Sequence, residues 1–384
     1  MKKFLALILT LTCLVSMCTV GYVHADEIEE TENTVPAEYT LSLKGAIELA
    51  LVNNPQLVAN EHTQNANKIN IKSARMTKSS AEKAQKMATQ YGVFSATTVD
   101  ELCVRKGYYV NAAIAQYDLS VLEKSRIEAS IAYNVTNAYY NAVLMDMLVQ
   151  AADNKYKLSV ENQLVVNSQY ALGLIPELSY KNADISVDSA KTLYDGYVLS
   201  RDIALMNLAN LLNIDKNSKI ILTDTIEVKE FTSDTKSDIA SAMETRYDII
   251  ALNKQVELSN EYFSHTKAFT ESSAVYNTAY ADTVNKQYQL DMAKDNIELA
   301  ILSQYNKIYT DYCAIALAQR TYDMRFAEYE AAKLQYELGM ITNIELTEKI
   351  NNLYDTQTEL FQAKLNYTMS VEKYKYDITI GLPQ

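Results

Sequence analysis

The scarcity of residues that end helices constrains this chain more than any other feature. Its 384 residues include 8 Gly and 4 Pro, and neither type occurs in the 65 positions between Gly107 and Gly173 or in the 142 positions between Gly196 and Gly339. At 1.5 Å per residue, the first run alone could form a helix roughly 100 Å long. Helices of that length need neighbours along their whole length, so the pattern predicts an all-α fold of very long helical hairpins.

An apolar seam along the second run supports this prediction. Its steps mostly alternate between four and three residues, and ten of its twelve members are apolar or aromatic: Ile297, Ile301, Tyr305, Ile308, Tyr312, Ile315, Gln319, Tyr322, Phe326, Tyr329, Lys333 and Tyr336. A weaker seam in the first run contains many small residues: Ile127, Ile131, Asn134, Ala138, Ala142, Met145, Val149, Ala152 and Tyr156. A 3.5-residue period is typical of coiled coils, so both seams are interpreted as packing positions without a cofactor.

The chain also repeats itself. Residues 170–175 (YALGLI) match 336–341 (YELGMI) at an offset of 166, and 50–59 resemble 242–251 at an offset of 192. The first half therefore has 26 more residues between its two landmarks. The pattern predicts two tandem repeats, each reading helix, early turn, very long helix, glycine turn, helix.

The predicted boundaries follow from these landmarks. They are a first repeat at 41–215, a linker at 216–234 with one or two short strands (219–223 and 225–228), a second repeat at 235–382, early turns near 91–107 and 269–276, and glycine turns at Gly173 and Gly339.

The N-terminus is typical of an exported protein. Lys2 and Lys3 precede an apolar stretch at 4–20, and Val23-His24-Ala25 resembles a cleavage site, which predicts a signal peptide at 1–25. An uncleaved membrane anchor and a lipoprotein modified at Cys18 remain alternatives. Residues 26–40 are predicted to be an acidic disordered leader, and no other stretch approaches 18 apolar residues.

Composition excludes several functions. The net charge of −13 disfavours nonspecific binding to nucleic acid or anionic lipid. After the signal peptide, the thiols are Cys103 and Cys313 and the imidazoles are His62 and His265, with no metal-ligand spacing among them. No nucleophile motif or phosphate-binding loop is present. We therefore expect no enzyme activity, no catalytic residues, no metal and no cofactor.

The opening segment 41–50 (LSLKGAIELA), followed by 53–57 (NNPQL), resembles the start of TolC-like outer membrane efflux proteins, and so do the paired Tyr-x-x-Gly turns. The resemblance covers roughly residues 40–382. It implies a homotrimer whose helices close into a hollow α-barrel, forming an efflux or secretion conduit in the outer membrane. It also implies two partners, a periplasmic-type adaptor (membrane fusion) protein and, through that adaptor, an inner-membrane transporter.

The resemblance assigns roles to two sets of residues. The adaptor-docking tip would consist of the two glycine turns: Leu172, Gly173, Leu174, Leu338, Gly339 and Met340. Glu345 and Glu348, i and i+3 on one helix, would form acidic rings at the entrance, whereas the first repeat has Ser179 and Asn182 at the matching positions. The alternatives are a plain helix cap for the turns and an ordinary solvated helix face for the two glutamates.

One feature departs from the family. Members in the outer membrane insert paired β-strands at each early turn, but neither 91–100 nor 269–276 alternates cleanly between apolar and polar residues. We therefore expect little or no β-barrel. The alternative function is a structural coiled-coil surface or spacer protein without a pore. The duplicated glycine turns favour the conduit, because a spacer needs no hairpin tips.

Overall fold

The computed structural model describes residues 38–92, 98–267 and 274–382, and in these the chain is almost entirely helical. The predicted signal peptide, most of the leader and the centres of both early turns lie outside the described residues. The elements in chain order are β1 (Glu38–Leu41), α1 (Leu43–Asn53), α2 (Pro55–Gln90), α3 (Val99–Lys106), α4 (Tyr108–Ala171), α5 (Glu177–Leu212), β2 (Lys219–Leu222), α6 (Thr235–Thr245), α7 (Tyr247–Thr266), α8 (Ala274–Glu337) and α9 (Asn343–Asp377).

The two very long helices that the glycine spacing predicts are α4 and α8, each of 64 residues and about 96 Å long. Gly107 precedes α4 with a φ of 96°, a left-handed conformation that glycine adopts without steric cost. No helix in the described ranges is both long enough and apolar enough to cross a membrane.

The helix starts reproduce the predicted repeat to the residue. Helices α6 and α7 begin at Thr235 and Tyr247, 192 positions after α1 and α2 begin. Helices α8 and α9 begin at Ala274 and Asn343, 166 positions after α4 and α5. The predicted surplus of the first half lies between these landmarks, in α3 and in the greater length of α2, which has 36 residues against 20 in α7. The predicted fold class, tandem repeats of long helical hairpins, is confirmed.

Each repeat also closes on itself at the same place. In the first, the Asn53 side-chain amide donates to the backbone carbonyl of Leu212 at 3.1 Å. In the second, the Thr245 hydroxyl donates to the carbonyl of Thr379 at 3.0 Å. Arg246 adds a bond to the Asp377 carbonyl at 2.8 Å and pairs with Asp248, so the buried guanidinium ties the end of α9 to the junction of α6 and α7.

Helix α4 is the central helix of the described structure. It packs on α5 towards the glycine turn and on α2 towards the other end, and it contacts α9 and α7 of the second repeat. Helix α8 packs on α9 and α7 and lies at one edge, while α2 and α5 form the other edge. Because α4 has neighbours on several sides, its buried residues are not confined to the predicted stripe, and Asn134 of that stripe is exposed.

The α8 stripe is only partly buried. Its buried members are Ile297, Ile301, Ile308, Ile315 and Tyr329. Tyr312, Phe326 and Lys333 are exposed on the single chain. The core therefore follows the predicted seam most closely in the middle of α8, where α9 lies against it.

The strands correct one expectation, because residues 38–40 of the predicted leader belong to β1, which pairs in parallel with β2. The linker has one of its one or two predicted strands, since β2 lies at Lys219–Leu222 and 225–228 is not a strand. Tyr139 of α4 joins both segments, since its hydroxyl donates to the Leu41 carbonyl at 2.9 Å and accepts from the N–H groups of Thr223 and Asp224.

Candidate functional site

The two glycine turns have the same backbone geometry. Gly173 has a φ of 71° and Gly339 a φ of 72°. In the first turn, the N–H of Leu174 donates to the Gln169 carbonyl at 2.9 Å, and in the second the N–H of Met340 donates to the Gln335 carbonyl at 2.8 Å. Both are helix C-caps that need a left-handed residue, which explains glycine at each position.

Each turn exposes two large apolar side chains at its apex. Leu172 and Leu174 are 75% and 70% exposed, and Leu338 and Met340 are 67% and 71% exposed. A Cβ built on either glycine would meet no atom within 4 Å, so the apex is open. Each apex therefore presents two apolar side chains to solvent in the single chain.

The two turns lie side by side. Tyr336 donates its hydroxyl to the side-chain carbonyl of Gln169 at 3.4 Å, and the amide of Asn162 bonds both Thr347, at 3.3 Å, and Asn343. Beneath them, a small apolar cluster at the end of α8 and the start of α9 contains Tyr329, Ala332, Leu346 and Ile350. These hydrogen bonds link the helices that flank the two turns, so the turns lie at the same end of the helical hairpins.

Glu345 is held by the start of its own helix. Its carboxylate accepts from the Thr342 N–H at 2.7 Å and from the Thr342 hydroxyl at 2.9 Å, while its own N–H donates back to that hydroxyl. This reciprocal arrangement is a capping box. The bonds from Thr342 hold the pKa of Glu345 below its ordinary value. Sequence reasoning missed this role, although Thr-x-x-Glu before an apolar run is its signal.

Glu348 is exposed and has no ion pair with any described residue. It lines a groove of about 500 Å³ between α5 and α9, which Lys155 and Asn182 also border. Asn182 is the residue that the repeat matches to Glu348, so equivalent positions of the two repeats face the same groove. The two predicted ring residues therefore differ, because Glu345 caps a helix and Glu348 is available to solvent.

Sequence reasoning also missed the apolar surfaces at both edges. On α8, Leu299, Tyr309 and Leu317 are each more than 60% exposed. The edge helix α5 exposes Leu178, Ile185, Leu199, Ile203 and Met206. These α5 positions are separated by 7, 14, 4 and 3 residues, a 3.5-residue pattern that could have revealed a second seam.

The described residues offer little reactive chemistry. No group of three or more His, Cys, Asp or Glu side chains within them could hold a metal ion. Cys103 is a buried free thiol whose pKa is raised to about 11 by burial, then by Asp100 and Glu261, so it is protonated at neutral pH. Cys313 is an exposed free thiol on α8.

No protein-family model and no curated protein sequence matches this chain. Several solved structures do. The Campylobacter jejuni CmeC outer membrane channel has a TM-score of 0.64 at 14% identity, over 89% of this chain and 86% of that one. A CusC structure has a TM-score of 0.70 at 15% identity, over 88% and 92%. The Vibrio cholerae outer membrane protein VceC has a TM-score of 0.67 at 13% identity, over 89% and 97%.

These alignments cover both repeats and most of each known chain, so the shared architecture includes the long helical hairpins. At such low identity the likeness concerns the fold. The chain has the α-helical fold of TolC-like outer membrane channels, as the resemblance of its opening segment and turns predicts.

Proposed function

We propose that this chain is the conduit subunit of an export system in the cell envelope. The observation that carries the proposal is the pair of adjacent, apolar glycine turns at one end of two helices about 96 Å long. A tube wall needs long helices side by side, and a tube that docks on another protein needs exposed tips. A spacer without a pore would account for the helices but not for the tips.

The edges of the chain support assembly into a ring. A single copy leaves apolar side chains exposed along α8 on one side and along α5 on the other. Burying these surfaces against each other in neighbouring copies would close a wall of helices, and the family resemblance makes the closed form a homotrimer. Electron microscopy of the purified full chain tests this point: end-on views should have a central bore, and solid rods would contradict the conduit.

The tip residues Leu172, Leu174, Leu338 and Met340 would dock an adaptor of the membrane-fusion type, which in turn would bind a transporter in the cytoplasmic membrane. Energy would come from that transporter. We expect Leu338→Ser/Met340→Ser to weaken cross-linking to an adaptor encoded beside this chain. Val52→Ser/Val121→Ser, which removes exposed apolar groups elsewhere, is the control. Equal cross-linking of tip variant and wild type would contradict docking at the turns.

The entrance rings remain part of the proposal, with Glu348 as the more effective member because the carboxylate of Glu345 is bonded to Thr342. Three copies of Glu348 would favour cations at the aperture. In a reconstituted assembly, Glu348→Gln should lower cation selectivity more than Glu345→Gln does. Unchanged cation selectivity in both variants would contradict a role for these glutamates as acidic rings.

A further inference from the structure

The positive charge of this acidic chain is concentrated on one helix. Between positions 68 and 86, α2 has six cations and a single acid, Glu82, although the whole chain has a net charge of −13. The cations are Lys68, Lys72, Arg75, Lys78, Lys83 and Lys86. The second repeat has no counterpart for Arg75, Lys78, Lys83 and Lys86, because the corresponding helix α7 is 16 residues shorter. It has Asn260 and Ser264 at the positions that match Lys68 and Lys72.

Five of these cations lie on one face of α2. At 100° per residue, Lys68, Lys72, Arg75, Lys83 and Lys86 fall within an arc of about 80°. All five are exposed, and none is in an ion pair with a described residue. Lys78 points elsewhere, where it lies near Glu82 and Gly107. We name the five residues the basic face.

Exposed apolar side chains border the basic face. Ile69, Met76 and Met87 are 68%, 57% and 65% exposed and lie along one side of it. The combination of a cationic stripe with an adjacent apolar strip is typical of helices that lie on a membrane surface. A soluble polyanion would use the cations but gain nothing from the apolar strip.

Three of the five residues of the basic face, Arg75, Lys83 and Lys86, lie in the part of α2 that has no counterpart in α7. The surplus of 16 residues over α7 corresponds to about 24 Å of helix. The Lys78 side chain reaches Gly107, the residue before α4, so later residues of α2 lie beyond the start of that helix. Arg105 of α3 bonds Gln85 and braces this extension. The extension of α2 lies at the opposite end of α4 from the glycine turns, about 96 Å away.

We propose that the basic face of α2 docks on a bilayer surface that carries anionic phospholipid headgroups. The overall negative charge of the chain does not prevent this, because at physiological ionic strength charges more than about 8 Å apart are largely screened. The local charge of the basic face then determines whether this end of the chain binds anionic headgroups. The proposal does not depend on the conduit function, since it concerns the end of the molecule remote from the tip.

Sedimentation of the full chain with vesicles tests the proposal. Vesicles of phosphatidylcholine alone are compared with vesicles containing 30% phosphatidylglycerol, and the ratio of the two partition coefficients is measured. The apolar N-terminal segment contributes to both, so the ratio isolates the electrostatic preference. We expect a clear preference for the anionic vesicles that falls as salt is raised.

The variant Arg75→Glu/Lys83→Glu/Lys86→Glu should reduce that ratio by at least about 100-fold, since each cation near an anionic surface contributes about fivefold in partitioning. Lys191→Glu/Lys216→Glu/Lys333→Glu changes the net charge equally at three other exposed lysines and should keep the ratio near that of the wild type. If circular dichroism shows that the reversed variant misfolds, glutamine at the same three positions replaces it, with the same expected direction.

Three results would overturn the proposal. The first is equal binding to neutral and anionic vesicles. The second is an equal loss of preference in both triple variants, which would assign the effect to net charge alone. The third is that soluble polyphosphate or duplex DNA binds the basic face and the anionic vesicles do not. The ligand of the basic face would then be a polyanion other than a membrane.

Discussion

At the residue scale, the start of α9 depends on the reciprocal pair Thr342 and Glu345. The two donors of Thr342 stabilise the charged carboxylate, so the pKa of Glu345 is lower in the folded chain than its ordinary value. A glutamate that the family resemblance assigns to a pore entrance thus also determines where a helix begins. Its substitution would change local stability as well as any selectivity, and the two effects need separate measurements.

We expect Glu345→Gln to destabilise the chain at pH 7 and to have a smaller effect in acid. The folded-state pKa is depressed, so the carboxylate contributes stability that is present above the unfolded pKa and is lost as pH falls through the folded pKa. Urea unfolding from pH 7 to pH 3 measures the difference in unfolding free energy from wild type, which should shrink below about pH 5. Glu348→Gln, on the same helix but outside the capping box, is the control. Equal pH dependence in both variants would contradict this role.

Gly339 permits a second test at this scale. Its φ of 72° is unfavourable for residues with a Cβ, and the space around it is open. We expect Gly339→Val to cost at least about 1–2 kcal/mol in unfolding free energy, entirely from backbone strain. Gly339→Asn should cost less, since asparagine tolerates this conformation. If chemical denaturation gives equal values for the two variants, the strain explanation is wrong.

At the scale of elements, apolar edges are the main feature of the isolated chain. Leu299 and Leu317 of α8 are 65% and 68% exposed, although both belong to a helix whose other side is packed in the core. Exposure of such side chains to water is unfavourable, so we expect a neighbouring copy of the chain to bury them.

We expect Leu299→Asn/Leu317→Asn to prevent assembly while leaving the helical content of each chain unchanged. Both side chains are mostly exposed in the single chain, so the two substitutions remove apolar surface from the edge without replacing a core residue. Chromatography with light scattering would report the mass, and circular dichroism the helicity. The matched control is Leu164→Asn/Val165→Asn, which removes exposed apolar groups from the central helix α4. If the α8 variant still assembles and the α4 control variant does not, the interface has been assigned to the wrong helix.

Helix boundaries were predictable from sequence because local residues determine them. Gly107, Gly173 and Gly339 end or precede the long helices, and the repeat transfers each boundary from one half to the other. The faces of the helices were less predictable. The burial of α4 depends on neighbours from both repeats. Strand β1 depends on its pairing with β2, in which Glu38 lies opposite Lys219, 181 positions later in the sequence. The structure shows two glycine turns with exposed apolar side chains at the predicted positions, and their role as an adaptor-docking tip remains a prediction.

At the scale of the whole molecule, the two ends differ in chemistry. The glycine-turn end exposes leucines and a methionine, and the far end exposes the basic face of α2. In the proposed conduit, the glycine turns dock the adaptor and the basic face attaches the other end to a bilayer surface. The length of α4 separates these two surfaces. The long helices matter to the account because they hold these surfaces far apart.

The mass of the purified full chain in solution tests the central claim most directly. One chain has a mass of 43.3 kDa. Light scattering or native mass spectrometry over a range of protein concentrations and detergents should give a species of three chains. A monomer or dimer under every condition would contradict assembly into a tube, and with it the conduit function.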